Sequence, residues 1–306
     1  MASKTPKTLY HYCSVDTFFN IIKNKSIWLS DVRQSNDELE ISYMKNKFSE
    51  HVKNAAFIFH FIHSSKHEEF DSLLLDAIVE TYCETNTLAK NWVFCLSEQG
   101  DLLSQWRGYA DDGYGISIGF DSEQLRLILD KIDRITDANN KSYGSVTLRK
   151  VNYSEKKMHA KLEECIDSNE IGKSNTIKEF REKLLPALIE VELHSPTYKA
   201  PSFKEEKEWR IVLNILYNPN HENTPINIGD ESCFLGNFAY TPSKRRLVSH
   251  YELSFKGFKP LIRKIILGPK CKVSPEEMRR FLCSCELLDN SEDERIKIEK
   301  SSSSYR

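Results

Sequence analysis

No apolar run in the chain approaches the ~18–20 residues needed to cross a bilayer, and the opening residues Met1 to Lys7 are polar. Neither a transmembrane helix nor a secretion signal is therefore expected, and the expected location is the cytoplasm, away from any membrane. Net charge is nearly absent too. Forty-three Lys and Arg against 45 Asp and Glu leave −2, which excludes a coat protein that holds nucleic acid by bulk electrostatics. Two short basic clusters, Lys244-Arg245-Arg246 and Arg279-Arg280, are either phosphate contacts or ordinary solvated surface. With 11 glycines and 10 prolines in 306 residues, no linker rich in Gly, Pro or Ser divides the chain, and no solenoid-period repeat is visible. The familiar signatures G-x-x-x-x-G-K-[ST], H-E-x-x-H and G-x-S-x-G are missing. Gly113-Tyr114-Gly115 lacks a third glycine and precedes a strand, so it is not a dinucleotide fingerprint.

What is present describes a folded protein: 40% hydrophobic and 29% charged residues are ordinary globular proportions, and the length suits one large domain or two small ones. Eight scattered cysteines without a secretion signal are expected to be reduced. Cys95 lies in an apolar run and is expected in the core. Cys271, Cys283 and Cys285 match no common zinc spacing. His60, His63 and His67 share a helix face, but the apolar run beside them points to a part-buried helix, so no metal is expected.

Hydrophobic periodicity predicts a strand at 9–14, a helix from Val15 to about Lys25 capped by Ser14 or Asp16, and extended chain at 27–29. Long helical patterns fill 36–87 and 154–192, the second broken near 168–174. Strands are predicted at 92–97, 114–120, 146–153, 208–216, 246–254 and 261–267, and short helices at 102–109 and 122–132. Ser274-Pro275-Glu276-Glu277 opens a helix to about Ser284. The stretch 218–237, rich in Asn, Pro and Gly, is expected to be loop, and 301–306 a flexible tail. The irregular mixture favours an α+β domain over 1–300 with two helical insertions.

Polar groups embedded in aromatic, strand-like sequence recur at four places. In Tyr10-His11-Tyr12-Cys13-Ser14, alternation puts Tyr10 and Tyr12 on one face and His11 on the other, with Leu9 and Cys13. That histidine either donates to a carbonyl or ribose hydroxyl, with Ser14 as a second polar group, or is a satisfied histidine beneath a helix. In Leu103–Tyr109, Trp106 and Tyr109 stand three apart on a helical turn beside Arg107. Stacking rings with a bidentate guanidinium suit a planar, phosphate-bearing ligand; the alternative is core aromatics with Arg107 paired to Asp101 or Asp111. Glu206, Glu208 and Arg210 alternate as a strand begins and project to one face. Two carboxylates there either hold a cationic or oxocarbenium-like centre or form a solvated charge run. Asn36-Asp37-Glu38 is sufficiently explained as a helix N-cap.

Together the segments Tyr10 to Ser14, Asn36 to Glu40, Leu96-Ser97-Glu98, Trp106 to Tyr109, Gly115 to Phe120, Lys204 to Arg210 and Ile266 to Pro269 resemble an uncharacterised bacterial family. Its pattern is Y-H-Y-x-S, N-D-x-x-E, F-S-E, W-R-x-Y, G-x-x-I-G-F, K-x-E-x-E-W-R and a late isoleucine shortly before Gly-Pro, with Leu96 here in place of Phe. That family is similar to the ADP-ribosyltransferase superfamily, and its opening segment to nucleic-acid-modifying ADP-ribosylating toxins. The resemblance implies a split mixed β-sheet clasping NAD as substrate, without a metal. It implies that Glu208 is the catalytic carboxylate, with Glu206 positioning or deprotonating the acceptor, or the reverse. It implies cofactor contacts from His11, Tyr12, Ser14, Ser97, Trp106, Arg107 and Tyr109. The implied acceptor is a macromolecule, RNA or DNA before protein, in a toxin or phage-defence setting with an antitoxin or regulatory partner. A non-catalytic nucleotide-sensing module and an NAD glycohydrolase are the alternatives.

Overall fold

A β-strand has two hydrogen-bonding edges, yet one strand of this protein serves three neighbours. In chain order the strands of the computed structural model are β1 (Thr8–Cys13), β2 (Ser26–Asp31), β3 (Ala89–Ser97), β4 (Ile116–Asp121), β5 (Arg134–Thr136), β6 (Ser142–Lys150), β7 (Glu208–Leu216), β8 (Ile228–Asp230), β9 (Cys233–Ser243), β10 (Arg246–Ser254), β11 (Ile262–Leu267) and β12 (Lys297–Lys300). The helices are α1 (Val15–Asn24), α2 (43–54), α3 (Leu103–Tyr109), α4 (Ser122–Asp130), α5 (Glu155–Ser168), α6 (Ile177–His194) and α7 (Pro275–Ser284). The structure describes residues 5–34, 43–54, 89–132, 134–136, 142–174, 176–216, 228–230, 233–243, 246–257 and 261–305. The Asn36–Glu40 segment, the histidines 60, 63 and 67, and most of the 36–87 insertion lie outside them.

The strands form one mixed sheet in the order β12-β11-β4-β1-β3-β2-β10-β9-β8, with β7-β6-β5 joined to β3. Among the described strands β11 and β12 run parallel and the other ladders are antiparallel. One edge of β3 pairs with β7 from Ala89↔Leu216 to Ser97↔Glu208. The opposite edge is shared: β2 pairs at Trp92 and Val93, while β1 pairs at Ser97. Between those points β1 and β2 diverge like the arms of a fork. The domain is therefore α+β with a mixed sheet.

Alternation along β3 sends Trp92, Phe94 and Leu96 into the main core, where they meet Phe18 and Ile22 of α1, Leu125 of α4 and Met278 of α7. On the other side of the sheet a second cluster joins Phe48 of α2, Leu162 of α5 and Leu188 of α6. Helix ends follow local chemistry: Ser14 accepts from Thr17 N at the start of α1, Asp121 caps α4, and Ser274 with Glu277 closes a capping box on α7.

Several elements depart from expectation. The 218–237 stretch includes β8 and the start of β9, joined as a hairpin by Asp230↔Cys233. β5 and β12 were not anticipated because a three-residue strand and the charged Lys297–Lys300 carry too little periodicity. Residues 301–305 are held rather than frayed. Asp101 accepts from Ser301 Oγ (2.5 Å), Ser302 N and Ser302 Oγ (both 2.7 Å) and Ser303 Oγ (3.2 Å), and the Tyr305 hydroxyl donates to Asp112 at 2.6 Å.

Two glycine positions are dictated by close backbone approach. A Cβ at Gly115 would lie 2.1 Å from Cys13 O, and one at Gly268 would lie 2.4 Å from Gly113 O. Gly108, by contrast, sits within α3 with open space around it. Gly115→Ala is therefore expected to lower the urea midpoint, costing about 2 kcal/mol or more. Gly108→Ala should raise it by about 0.5–1 kcal/mol, because alanine loses less backbone entropy in a helix.

Candidate functional site

At the fork the Cys95 carbonyl bonds to a side chain, that of His11. Its Nδ1 lies 2.9 Å from Cys95 O, and its ring stacks 4.1 Å from that of Phe94. A carbonyl only accepts, so Nδ1 carries the proton and Nε2 remains an acceptor. Burial lowers the His11 pKa to about 4 against the partial compensation of the Cys95 bond. The imidazole is thus neutral at pH 7, a wedge that keeps the arms apart without adding charge.

Beside the wedge, on the face of β3 opposite the main core, lies a cavity of about 100 Å³. That is room for about three waters or one small ring. Its floor is a buried cluster of two carboxylates and two cations. Lys199 Nζ lies 2.7 Å from Glu206 Oε2 and 3.4 Å from Glu208 Oε2. Arg210 grips Glu208 with two bonds, Nε to Oε1 at 2.7 Å and a terminal guanidinium nitrogen to Oε2 at 3.0 Å, and also donates to Pro196 O at 2.9 Å. The fork-on-fork geometry suits a guanidinium and a carboxylate.

The local backbone makes this convergence possible. Glu206 ends a 3₁₀ turn, Pro201–Glu206, and Glu208 begins β7. Lys207 between them takes a left-handed conformation at φ 44°, which is costly for a residue with a Cβ. Its neighbours hold it there: Lys207 O accepts from Glu98 N, Glu206 O accepts from Ser97 Oγ at 2.7 Å, and Tyr153 OH accepts from Glu208 N at 2.9 Å. The expectation that Glu206 and Glu208 alternate along one strand is corrected; a turn, not the pleat, aims both at Lys199.

Burial opposes ionisation of Glu208, but Arg210 and Lys199 outweigh it and hold its pKa below the ordinary glutamate value. Tyr109 lies at the rim, half exposed, with its hydroxyl donating to Glu206 Oε1 at 3.0 Å. Burial of that hydroxyl end, only partly offset by Lys199, raises its pKa, so it stays a donor. Gln105, one turn earlier on α3, lines the same cavity. The Tyr12 hydroxyl donates to Gln99 O and accepts from Leu102 N, fixing the loop that leads into α3.

The structure brings His11, Tyr12, Tyr109, Glu206 and Glu208 around one cavity, with Ser97 directly behind Glu206. It does not bring Ser14, Trp106 or Arg107 there. Ser14 is occupied as the α1 cap. Trp106 is wholly buried against Tyr12 and Ile266, its Nε1 donating to Asp101 at 2.7 Å. Arg107 is on the outer side of α3, its guanidinium 4.8 Å from the Tyr305 ring centre. Cys95, expected in the core, is exposed on the cavity face, because it is Phe94 and Leu96 that alternate inward. Lys199 and Tyr153 were missed; single residues outside any pattern carry no signal of a site. The sequence puts Arg210 on the right face without marking a role for it; its position two residues after Glu208 on a strand is the available clue.

A family model described as a protein of unknown function (DUF2971) matches residues 105–211. The matched span carries Gln105, Tyr109, Lys199, Glu206, Glu208 and Arg210, and leaves out β1 and β3. No curated protein and no solved structure matches the chain.

Removing the shared cation leaves buried carboxylates uncompensated. Lys199→Met should therefore cost about 3–5 kcal/mol at pH 7 in urea unfolding. The Glu208 pKa is depressed on folding, so the stability it contributes is complete above about pH 4.5 and disappears as pH falls through its folded value. The Lys199→Met deficit should accordingly shrink toward pH 4; an unchanged deficit would show that the loss is one of packing. Asp101 is a separate test. Burial opposes its ionisation, but the bonds from Ser301, Ser302 and Trp106 prevail and hold its pKa at about 2. Asp101→Asn should speed amide exchange at Ser302 at least tenfold at neutral pH while leaving β7 amides protected.

Proposed function

We propose that this protein is an NAD-consuming ADP-ribosyltransferase with an ADP-ribosyltransferase-like split sheet, and that the cavity beside β3 receives the nicotinamide end of NAD. The observation that carries the reading is the convergence of His11, Tyr12, Ser97, Glu206 and Glu208 from three separate strands and one turn at the fork. The small cavity suits the nicotinamide ring, with the rest of the dinucleotide lying across the open side.

Breaking the nicotinamide–ribose bond leaves the electron pair with nicotinamide and positive charge on the ribose C1′–O4′ unit; the acceptor nucleophile then forms the new bond to C1′ and loses its proton. A preorganised carboxylate pair lowers the energy of that charge. Glu208, locked by Arg210 and Lys199, supplies a fixed negative charge. Glu206 is reached by displacing the Tyr109 hydroxyl, which frees Oε1 for the ribose 2′-hydroxyl or the acceptor proton. Neutral His11 offers Nε2 to a ribose hydroxyl. The acceptor is a macromolecule, RNA or DNA before protein, and the biological role a toxin or phage-defence effector restrained by a regulatory partner. One observation favours a second reading, a nucleotide-binding module without turnover: both cations are already committed to the carboxylates, as in a purely structural cluster.

The deciding experiment incubates the protein, Glu206→Gln and Glu208→Gln with NAD labelled on its adenylate side and separate pools of single-stranded RNA, DNA and cell protein. Label should pass to one pool with the parent chain, and each variant should lose activity by about 10²-fold or more. Nicotinamide release without labelling would reassign the enzyme as a glycohydrolase. Neither release nor labelling by a folded parent chain would leave the binding module.

A further inference from the structure

We infer that Trp28 and Glu252, on the far arm of the fork, form a shelf for an amino-bearing purine, the adenine of an adenine nucleotide. As the adenine-side contact of the dinucleotide, the inference rests on the proposed function; as a purine shelf, it stands on the following geometry.

The β2 strand buries Ile27 and Leu29 at 1% and 0% exposure, while Trp28 on its opposite face is 38% exposed. The other three tryptophans, Trp92, Trp106 and Trp209, are at 4% or less, so this is the protein's one broadly accessible indole. Trp28 does not dangle. One face lies on the His250 ring, centroids 4.1 Å apart and planes 19° from parallel. His250 is 5% exposed, and burial lowers its pKa, so the support is a neutral ring held in place by β10. The exposure of the indole is the area a second ring would cover, and base stacking on aromatic side chains is sequence-tolerant and strong.

The register ties this shelf to the cavity. Ser30 pairs with Val93 on one arm and Tyr10 with Ser97 on the other. Two residues back along β2 and two on along β1, Trp28 and Tyr12 both step to the level of Cys95, on the face that bears the cavity, with the fork opening between them. Glu252 is directly opposite Trp28 across the β2–β10 ladder and on the same face. A carboxylate beside a stacking surface accepts from the exocyclic amino group of adenine; the carboxamide of nicotinamide mononucleotide also carries N–H donors, so what favours adenine here is the larger two-ring face it lays on the indole. The negative charge of Glu252 also argues against a polyphosphate backbone running over this surface.

The test needs no turnover. AMP and nicotinamide mononucleotide are titrated into the full chain, following tryptophan fluorescence and calorimetric heat, with Trp28→Phe, Trp28→Ala and Glu252→Gln alongside. AMP should quench the parent chain, and Trp28→Phe should bind it with no quench. Trp28→Ala should weaken AMP about tenfold or more, and Glu252→Gln by a few-fold. Because Trp28→Ala also gives up the stack on His250, the unfolding midpoint of each variant is measured alongside, and Trp28→Phe, which keeps a ring on His250, ensures that binding is read on a folded protein. Failure of AMP to bind, equal affinity in Trp28→Ala, or quenching by nicotinamide mononucleotide in place of AMP would overturn the shelf. AMP binding that depends on Trp28 in a protein that never releases nicotinamide would retain the shelf and overturn the transferase.

Discussion

The protein is organised by one shortage: β3 has two edges and three partners. β7 occupies one edge throughout, so β1 and β2 must divide the other, and between their pairing points the carbonyl of Cys95 bonds to the side chain of His11. An unsatisfied buried carbonyl would cost free energy comparable to a lost hydrogen bond. His11 removes that cost while spreading the arms, which opens the face on which the carboxylates gather. The gap in the ladder and the cavity beside it are consequences of the same division.

Charge balance then decides what the cavity can hold. Two carboxylates buried without counter-ions would cost the fold heavily; here Lys199 is shared between them and Arg210 is locked onto one. The arrangement is asymmetric. Glu208 has its strongest partner two residues along its own strand, an attachment as rigid as the sheet. Glu206 is held on one side by a lysine and on the other by a phenol at the rim of a seven-residue helix. One carboxylate is a fixture and its neighbour is exchangeable, a difference that arises from backbone placement and not from residue type.

Where sequence and structure agree, a period is the reason. The alternation in β7 and the N-cap, proline and glutamates opening α7 were readable to the residue. The same rule, applied further, would have moved Cys95 out of the core, since only alternate residues of an apolar strand can face one side. On α3 the aromatic spacing of three pointed to a shared face for Trp106 and Tyr109, whereas the helix turns Trp106 into the core and aligns Tyr109 with Gln105, four residues apart. Lys199 was illegible because its position depends on a 3₁₀ turn and a left-handed Lys207, neither of which leaves a local pattern. The short strands β8 and β12 owe their existence to neighbours and not to their own composition.

The segment 301–305 joins parts of the chain that are distant in sequence. It leaves β12, which is zipped to β11, and ends on Asp101, Asp112 and the Arg107 face of α3, the helix whose opposite face carries Gln105 and Tyr109. Mechanically this makes it a tendon. A pull at residue 305 would act first on a few serine–carboxylate and tyrosine–carboxylate contacts, and through Asp101 on the indole of Trp106, before any strand of the sheet began to separate. Tension would therefore be felt at the rim of the cavity while the core beneath was still intact.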